Sequence, residues 1–283
     1  MIIYIVYILI SPILWGLVYI TSLFNIKIEE RVVNYSKIFK DSLKKTKLSE
    51  KEIIIFHAAS NGELEQLKPL FRNIDRNKYF IFLTISSSSI NDIPNEEVDT
   101  FCYQPFDFPW LVLYFFYKIK PAKYIITRHD IWPNHIIICN VLSIETYLIN
   151  ANLPENSKRM SPLLRSLYKF IFNRIDYIYT VSEENKIRLE KLIQSENSIN
   201  VFPDTRFSQI IFRHNSLKNK LMPKSILATK NILFGSIENR DINIIFKSLS
   251  SINNILNKNK SKLIFVPHEP SEDIIKKIEN NLD

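Results

Sequence analysis

The sequence predicts an α/β protein whose main part is a doubly wound parallel sheet with helices on both faces. Three observations lead to this class. Short apolar runs alternate with stretches of helical spacing from residue 35 to residue 203, as in a parallel sheet with crossover helices. Two further pairs of strand and helix follow after a break. Ahead of them all, residues 1–25 carry no charged side chain, which predicts a separate apolar helix.

The predicted strands of the main domain are short runs rich in Ile, Val, Phe, Tyr and Thr. They are residues 53–56, 79–86, 98–103, 123–127, 146–149, 176–181 and 200–202. The predicted helices between them are residues 63–72, 108–120, 133–142, 161–174 and 183–194. Residues 108–120 are apolar enough for a buried helix or for a surface helix that dips into lipid.

A smaller unit follows the main domain. Residues 204–223 have weak periodicity and are the candidate linker. The predicted elements after it are strand 231–235, helix 241–257, strand 262–266 and helix 271–282. Two such pairs form a sheet too small to be stable alone. We therefore expect an anchor at 1–25, an N-terminal domain at 35–203, and an incomplete C-terminal domain at 224–283 that packs on the first domain or belongs to a longer parent chain.

Residues 1–25 match the length of a helix that spans a bilayer. They show neither the basic start nor the small-residue cleavage site of a signal peptide, so we expect a retained anchor. A buried core helix is the alternative. Lysine and arginine outnumber acidic residues in the next 25 positions, so the positive-inside rule predicts a cytoplasmic globular part.

Composition narrows the classes of function. The formal net charge of +8 suits an anionic membrane surface or phosphorylated substrates. No zinc finger, basic recognition helix or aromatic RNA-binding signature is evident, so we expect no nucleic-acid partner. The two cysteines, Cys102 and Cys139, suggest a reduced compartment, and no cysteine or histidine spacing suggests a metal site.

The chain changes from strand to helix geometry between residues 56 and 63. Ser60 followed three positions later by Glu63 predicts a capping box at the start of the helix. Gly62 is one of only three glycines, so it is expected to allow a ligand to approach closely or to supply an unusual φ. Because ligands bind beyond the carboxyl ends of strands in such folds, Glu63 is either a helix cap alone or also a general base.

Seven short motifs follow the apolar segment in a fixed order. They are HAASNGE at 57–63, DIWPN at 130–134, NANLPENS at 150–157, SEE at 182–184, TRF at 205–207, GS at 235–236 and VPHEP at 266–270. Together they resemble the Kdo transferases, membrane-anchored enzymes that transfer 3-deoxy-D-manno-octulosonic acid (Kdo). The family patterns matched include H-A-x-S-x-G-E, E-L-W-P-N and N-A-R-L-S-x-x-S. No single motif is decisive, but the order is specific and spans nearly the whole chain.

This resemblance implies the Rossmann-like N-terminal domain of a GT-B glycosyltransferase, with an incomplete second domain of the same kind. It further implies an inverting transfer of Kdo from CMP-Kdo to the lipid A precursor, in lipopolysaccharide core biosynthesis. No metal or other cofactor is expected. The implied location is the cell inner membrane, with a single-pass anchor, a cytoplasmic globular part and contact with anionic lipids.

The resemblance also implies roles for individual residues. Glu63 falls on the position understood to be the catalytic base. The expected acceptor-binding residues are Ser60, Gly62, Asp130 and Asn134. The expected donor-binding residues, which would stabilise phosphate charge through helix-start amides and cations, are Arg206, Gly235, Ser236 and His268.

Plainer roles stay open for several of these residues. Arg206 is alternatively a solvated charge in the linker, and Asp130 alternatively holds the strand end. Asn134 alternatively satisfies backbone groups after Pro133. His57 is expected to be a satisfied core histidine.

The chain departs from the family pattern at three places. Residues 128–130 read RHD where the family has E-T-E, and Asn152 replaces an arginine. His268 and Glu269 replace the pair R-H that serves the CMP end of the donor, and a carboxylate facing a phosphate repels it. A rival hypothesis is therefore a catalytically impaired, membrane-anchored relative that still binds lipid or a partner. A third is a glycosyltransferase of this fold with a different donor.

Overall fold

The computed structural model describes residues 2–86, 90, 93–94, 96–155, 157, 159, 161–193, 198–216, 226, 228–258 and 261–281. The chain divides into two compact units, the first ending at Arg213 and the second beginning at His214. The strands of the first unit are β1 (Glu52–Ala58), β2 (Tyr79–Ile85), β3 (Thr100–Tyr103), β4 (Lys123–Thr127), β5 (Glu145–Ala151), β6 (Tyr177–Thr180) and β7 (Ser198–Val201). Its helices are α1 (Ile2–Ser22), α2 (Ile26–Lys47), α3 (Asn61–Asn73), α4 (Pro109–Ile119), α5 (Pro133–Val141), α6 (Pro162–Phe172), α7 (Glu183–Leu192) and α8 (Arg206–Ser216).

The seven strands of the first unit form one parallel sheet in the order β3-β2-β1-β4-β5-β6-β7. From β1 the chain winds outward through β2 and β3, and then returns to place β4 on the other side of β1. This confirms the predicted doubly wound sheet. The order reverses between β1 and β4, and the crevice beyond their carboxyl ends is where such sheets bind ligands.

The sheet has a hydrophobic core on each face. Successive side chains of β1 alternate between the faces, so Ile54 and Phe56 pack against α3 while Ile55 packs with Phe82 and Phe115 on the other side. Burial on both faces explains why β1 is a continuous apolar run rather than an alternating one.

Two helices of the first unit were not predicted. One is α2, whose lysines indicated only membrane orientation; it buries Phe39 and Ser42 against β3, and the Ser42 hydroxyl donates to the Phe101 carbonyl at 2.6 Å. The other is α8, which lies within the predicted linker. Residues 217–223 of that linker lie outside the described residues.

Helix α1 confirms the predicted N-terminal apolar helix. Within the described part of the chain it is the one helix long and apolar enough to cross a membrane, judged by length and composition. Only 6% of that window is buried, so the alternative of a core helix does not fit. One side of α1 nevertheless packs against the rest of the first unit. The Tyr4 hydroxyl donates to Asn134 Oδ1 at 2.8 Å, and the Trp15 ring packs on Phe108 with centroids 5.3 Å apart.

The second unit contains a parallel pair of strands and two helices, as predicted. Its elements are β8 (Asn231–Ile237), α9 (Asn239–Lys258), β9 (Lys262–Pro267) and α10 (Glu272–Glu279). Phe265 stacks between Phe234 and Phe246. Residue 282, at the end of the predicted last helix, lies outside the described residues.

Candidate active site

The candidate site lies beyond the carboxyl ends of β1, β2 and β4, which are neighbours in the sheet. Because parallel strands all end at the same edge, this order brings together side chains that are far apart in sequence. His57 lies within β1, Ser86 follows β2 and Asp130 follows β4. The start of α3, with Ser60, Gly62 and Glu63, follows β1 at the same edge.

Ser60 caps α3 as predicted, but the return bond of the capping box is shifted by one residue, to the amide of Ala59 before the N-cap. Ser60 Oγ accepts a hydrogen bond from the Glu63 amide at 3.4 Å, and Glu63 Oε2 accepts one from the Ala59 amide at 2.6 Å. Glu63 is only 8% exposed. Burial raises the pKa of Glu63, outweighing the Ala59 amide and the attraction of His57, which lower it. A higher pKa makes the carboxylate a stronger base, so capping and proton acceptance are compatible in one side chain.

His57 and Asp130 form a bonded pair next to Glu63. His57 Nε2 lies 2.7 Å from Asp130 Oδ2, and His57 Nδ1 lies 3.0 Å from Thr84 Oγ1. Ser86 Oγ donates to the same Asp130 oxygen at 3.1 Å. His57 is fully buried with both ring nitrogens bonded, which confirms the predicted satisfied core histidine. Its bond to Asp130 was not predicted, because it depends on β1 lying beside β4.

Asp130 is held as a carboxylate. Burial would raise its pKa, but hydrogen bonds and attraction from His57, together with bonds from Trp132 and Ser86, lower the pKa to about 2. Asp130 also lines a cavity of about 460 Å³. Asp130 therefore joins the ends of β1, β2 and β4 through His57 and Ser86, and acceptor binding by this residue stays a prediction. An ionised carboxylate here can accept hydrogen bonds from sugar hydroxyls.

Asn134 lies at the first turn of α5, where it is fully buried. Its Nδ2 donates to the Asp107 carbonyl at 2.6 Å, and its Oδ1 accepts from Tyr4. The Asp107 carboxylate in turn accepts from the Asn134 and His135 amides at 3.0 and 3.2 Å. Asn134 thus joins α1, α5 and the segment after β3, and a direct contact with an acceptor stays a prediction. Asp107 was missed because no local signal links it to a helix 26 positions further on.

Gly62 does not have the unusual backbone that its rarity suggested. None of the described glycines has a positive φ, and a Cβ on Gly62 would lie 3.9 Å from Ser60 Oγ, an ordinary contact. The prediction of an unusual φ is therefore wrong. Close approach of a ligand stays a prediction.

Three residues at strand ends adopt left-handed conformations that the sequence did not reveal. Arg128 follows β4 with φ 61°, Asn150 is the next-to-last residue of β5 with φ 51°, and Ser236 is the next-to-last residue of β8 with φ 61°. Such conformations cost energy in residues other than glycine and cluster at functional sites. Asn150 is fixed by Thr205, which donates its amide to Asn150 Oδ1 at 3.1 Å and receives a bond from Asn150 Nδ2 at 2.9 Å.

The predicted donor-binding residues fall in both units. Arg206 begins α8 in the first unit, with its guanidinium 3.9 Å from Asp204 and its side chain 43% exposed. In the second unit, Gly235 and Ser236 lie near the end of β8 and His268 follows β9. Ser236 Oγ lies 2.9 Å from His268 Nδ1. The structure thus brings Ser236 and His268 together at the carboxyl edge of the small sheet.

The chain is similar to known proteins in both sequence and fold. A family model described as 3-deoxy-D-manno-octulosonic-acid transferase (kdotransferase) matches residues 27–209. A bifunctional glycosyltransferase/methyltransferase of Fusobacterium nucleatum is 24% identical over 241 residues, which are 82% of this chain and 36% of that protein. A 3-deoxy-D-manno-octulosonic acid transferase of Chlamydia muridarum is 24% identical over 234 residues, 77% of this chain and 52% of that one. The chain thus spans from about a third to about half of these relatives.

Solved structures agree with the fold. The UDP-GlcNAc 2-epimerase of Neisseria meningitidis, bound to UDP-GlcNAc, has a TM-score of 0.52 at 13% identity and covers 82% of this chain and 69% of its own. The UDP-N-acetylglucosamine 2-epimerase of Rickettsia bellii has a TM-score of 0.54 at 13% identity, covering 82% and 65%. At such identities they show the fold alone, which confirms the predicted α/β class with GT-B-like neighbours.

The family assignment follows from the extent of the sequence match. Residues 27–209 are well over half of the 283 residues, and they contain every strand of the large sheet and the whole Glu63 site. The chain therefore belongs to the 3-deoxy-D-manno-octulosonic-acid transferase family of glycosyltransferases.

Proposed function

We propose that this protein transfers Kdo from CMP-Kdo to the lipid A precursor, with Glu63 as the general base. The observation that carries the proposal is the position of Glu63, a buried carboxylate with a raised pKa at the start of α3. It lies beside the crevice where the strand order reverses between β1 and β4, within the part of the chain that the family model matches. A base is needed because the acceptor hydroxyl loses its proton as it attacks.

The proposed reaction is a single inverting displacement. The acceptor oxygen forms a bond to the anomeric carbon of Kdo from the face opposite the leaving group. The bond from that carbon to the phosphate oxygen breaks, and CMP leaves with the electron pair. Glu63 takes the acceptor proton. Asp130 orients the acceptor by accepting bonds from its other hydroxyls, while Ser60 and Gly62 line its approach at the start of α3.

Donor binding is proposed for residues of both units. The phosphate of CMP carries the growing negative charge, which cations and backbone amides stabilise. Arg206 supplies a cation in the first unit. Gly235, Ser236 and His268 are proposed to bind the nucleotide, since Ser236 and His268 lie together at a strand end.

We propose the inner membrane as the location, with α1 as the anchor and the globular part in the cytoplasm, where anionic lipids meet its basic charge. The sequence predicts that α1 crosses the bilayer once. Its contacts with the rest of the first unit extend from Tyr4 to Trp15. These contacts favour a helix that stays docked on that unit, with its exposed apolar side in the bilayer.

A second candidate is a relative that binds lipid but does not transfer Kdo. It is favoured by Glu269 next to His268, because a carboxylate near the phosphate site weakens donor binding. Calorimetry of the full chain with CMP separates the two candidates. Measurable CMP affinity that falls in a His268→Ala variant supports the transferase, whereas lipid binding without any CMP affinity supports the second candidate.

The direct test of the substrates uses purified full-length protein in lipid nanodiscs. Labelled CMP-Kdo and lipid A precursor are supplied, and product is followed by mass spectrometry. Formation of a Kdo lipid supports the proposal. A screen with other CMP-sugars and nucleoside diphosphate sugars forms the second arm, and transfer from one of those donors alone would replace CMP-Kdo in the proposal.

A further inference from the structure

A cavity lies between α1 and the segment that follows β3. Its volume of about 460 Å³ falls within the range of about 300–1,000 Å³ for small-molecule sites. One wall is the side of α1 that carries Leu14, Leu17 and Val18, and Pro105, Phe106 and Phe108 line it from the first unit. These walls are hydrocarbon, so they suit an apolar ligand rather than a nucleotide.

Polar groups also line this cavity. Gln104 is only 3% exposed, and its Nε2 has no hydrogen-bond partner among the described residues. Arg31 donates from Nη2 to the Gln104 carbonyl at 2.9 Å, while its Nε likewise has no partner in the described part of the chain. Both residues line the cavity, and Arg31 places a cation in its wall, so a ligand whose head carries anionic oxygens suits this site.

Asp130 lines the same cavity beside these donors. Its carboxylate already accepts bonds from His57 and Ser86. A further partner must bring a donor, such as a hydroxyl group. The ligand that fits is therefore an amphiphile whose head carries both anionic oxygens and hydroxyls, and whose tail is hydrocarbon.

Helix α1, which forms one wall of the cavity, is held in place by contacts with the segment after β3, and its other side is exposed. The Tyr7 hydroxyl donates to the Asp107 carbonyl at 2.9 Å, and Trp15 packs on Phe106 and Phe108. The opposite side of the helix is apolar and exposed, with Leu9 at 72% and Ile13 at 68%. One side of α1 therefore lines the cavity while its exposed apolar side can face lipid.

We propose that this cavity binds an acyl chain of a lipid, whose phosphate-bearing head lies against Arg31 and Gln104 and places a hydroxyl at Asp130. Helix α1 is then part of a lipid-binding site as well as an anchor. That the bound lipid is the sugar acceptor rests on the proposed function. Binding of a single-chain lipid phosphate does not.

The test uses full-length protein in nanodiscs and a dodecyl phosphate that carries a photoreactive diazirine in its chain. We expect saturable labelling of cavity residues of α1 and of the segment after β3. Dodecyl phosphate should compete for the label, whereas dodecyltrimethylammonium should compete at least tenfold less well, because Arg31 repels its head. Equal competition by both would overturn the proposal even if no variant folded.

Two matched variants place tryptophan on opposite sides of the same helix. Val18→Trp fills the cavity and is expected to reduce labelling at least tenfold. Ile13→Trp adds the same ring to the exposed side and should leave labelling unchanged. Equal labelling in the two variants, or labelling confined to the exposed side of α1, would contradict the proposal.

Competition by natural lipids identifies the source of the chain. Displacement of the photoreactive probe by the lipid A precursor indicates an acceptor site. Displacement by phosphatidylglycerol alone indicates a site for ordinary membrane lipid. Both outcomes support the cavity as an acyl-chain site. Saturable labelling without any Kdo transfer would remove the proposed function and keep this inference. If Val18→Trp transfers Kdo with an unchanged KM for the lipid, the bound lipid is not the sugar acceptor, but the cavity still binds an acyl chain.

Discussion

At the scale of single residues, the site depends on two carboxylates whose environments move their pKa values in opposite directions. Burial raises the pKa of Glu63, while bonds from His57, Trp132 and Ser86 lower that of Asp130 to about 2 despite its burial. This separation of pKa values suits Glu63 to exchange a proton and Asp130 to stay ionised. Each shift has a measurable consequence.

Glu63 sets the acid side of the pH profile if it is the base. It must be ionised to accept a proton, so activity falls as pH drops through its raised pKa. We expect an inflection in kcat above the ordinary range of a glutamate, measured from initial rates across pH 4 to 8. A Glu63→Asp variant should shift that inflection, while Glu52→Gln, an exposed change at the start of β1, leaves it in place. An unshifted inflection would assign the titration to another group.

Asp130 should stabilise the fold in a pH-dependent way. Because its pKa is lower in the folded state, its contribution is present above the unfolded value near 3.8 and is lost as pH falls toward 2. The shift corresponds to about 2 kcal/mol at neutral pH. Asp130→Asn should therefore unfold more easily than the parent at pH 7 in urea titrations, with the difference nearly gone near pH 2. A difference that does not change with pH would contradict this origin.

At the scale of elements, α8 is joined to α3 and β5 by a buried polar network. Thr205 Oγ1 donates to the Gln66 carbonyl at 2.7 Å, Gln66 Nε2 donates to Asp204 at 2.7 Å, and Asn150 bonds to Thr205. Arg72 adds a cation over the Phe212 ring at 3.9 Å. The TRF motif thus has a structural role in the first unit, in addition to the proposed role of Arg206.

Asn150 is the residue of that network whose replacement is most informative. Asn150→Ala removes both bonds to Thr205 and leaves an alanine at φ 51°, so we expect a loss of about 2–4 kcal/mol in unfolding free energy. Asn150→Gly removes the same hydrogen bonds, but glycine adopts the left-handed conformation without steric cost. This variant should therefore be about 1 kcal/mol more stable than the alanine variant. Chemical denaturation of the full chain measures both. Equal stabilities would show that the left-handed backbone carries no cost here.

The arrangement of α1 can be tested by thiol labelling in intact cells. Cys102 and Cys139 are buried, and burial raises the pKa of both thiols, so they give little background. A helix docked along the first unit keeps Ile5→Cys on the cytoplasmic side, where a membrane-impermeant maleimide does not reach it. Ser250→Cys, an exposed position in the second unit, marks that side. Labelling of Ile5→Cys alone would show instead that the helix crosses the bilayer.

Most strands could be predicted because buried parallel strands are runs of β-branched and aromatic residues, such as 53–56 and 123–127. Helices α2 and α8 were missed for a physical reason. Each has a mixed surface in which a few buried groups, such as Phe39 and Gln209, provide the packing. The Ser60 cap of α3 was predictable because it is local. The bond from His57 to Asp130 was not, since it depends on strand order across 73 positions.

At the scale of the whole molecule, the first unit contains the proposed base, the proposed acceptor-binding residues and the proposed membrane anchor. The family match covers residues 27–209 of this unit, and the chain spans about half the length of its Chlamydia relatives. The second unit brings Ser236 and His268 together as candidates for the nucleotide. The proposed catalytic and nucleotide-binding residues therefore lie at the carboxyl edges of parallel sheets, where such sheets bind ligands.

The most direct test of this account is the turnover number of Glu63→Gln in the Kdo transfer assay, with Glu52→Gln, an exposed change at the start of β1, as the control. Glutamine has nearly the same size as glutamate, and its side-chain oxygen can still accept the hydrogen bond from the Ala59 amide. It cannot act as a base for the acceptor proton. We predict that kcat falls by about 10²–10⁴-fold, with the KM for the lipid little changed and the control near parental activity. A Glu63→Gln enzyme that turns over at the parental rate would contradict the account.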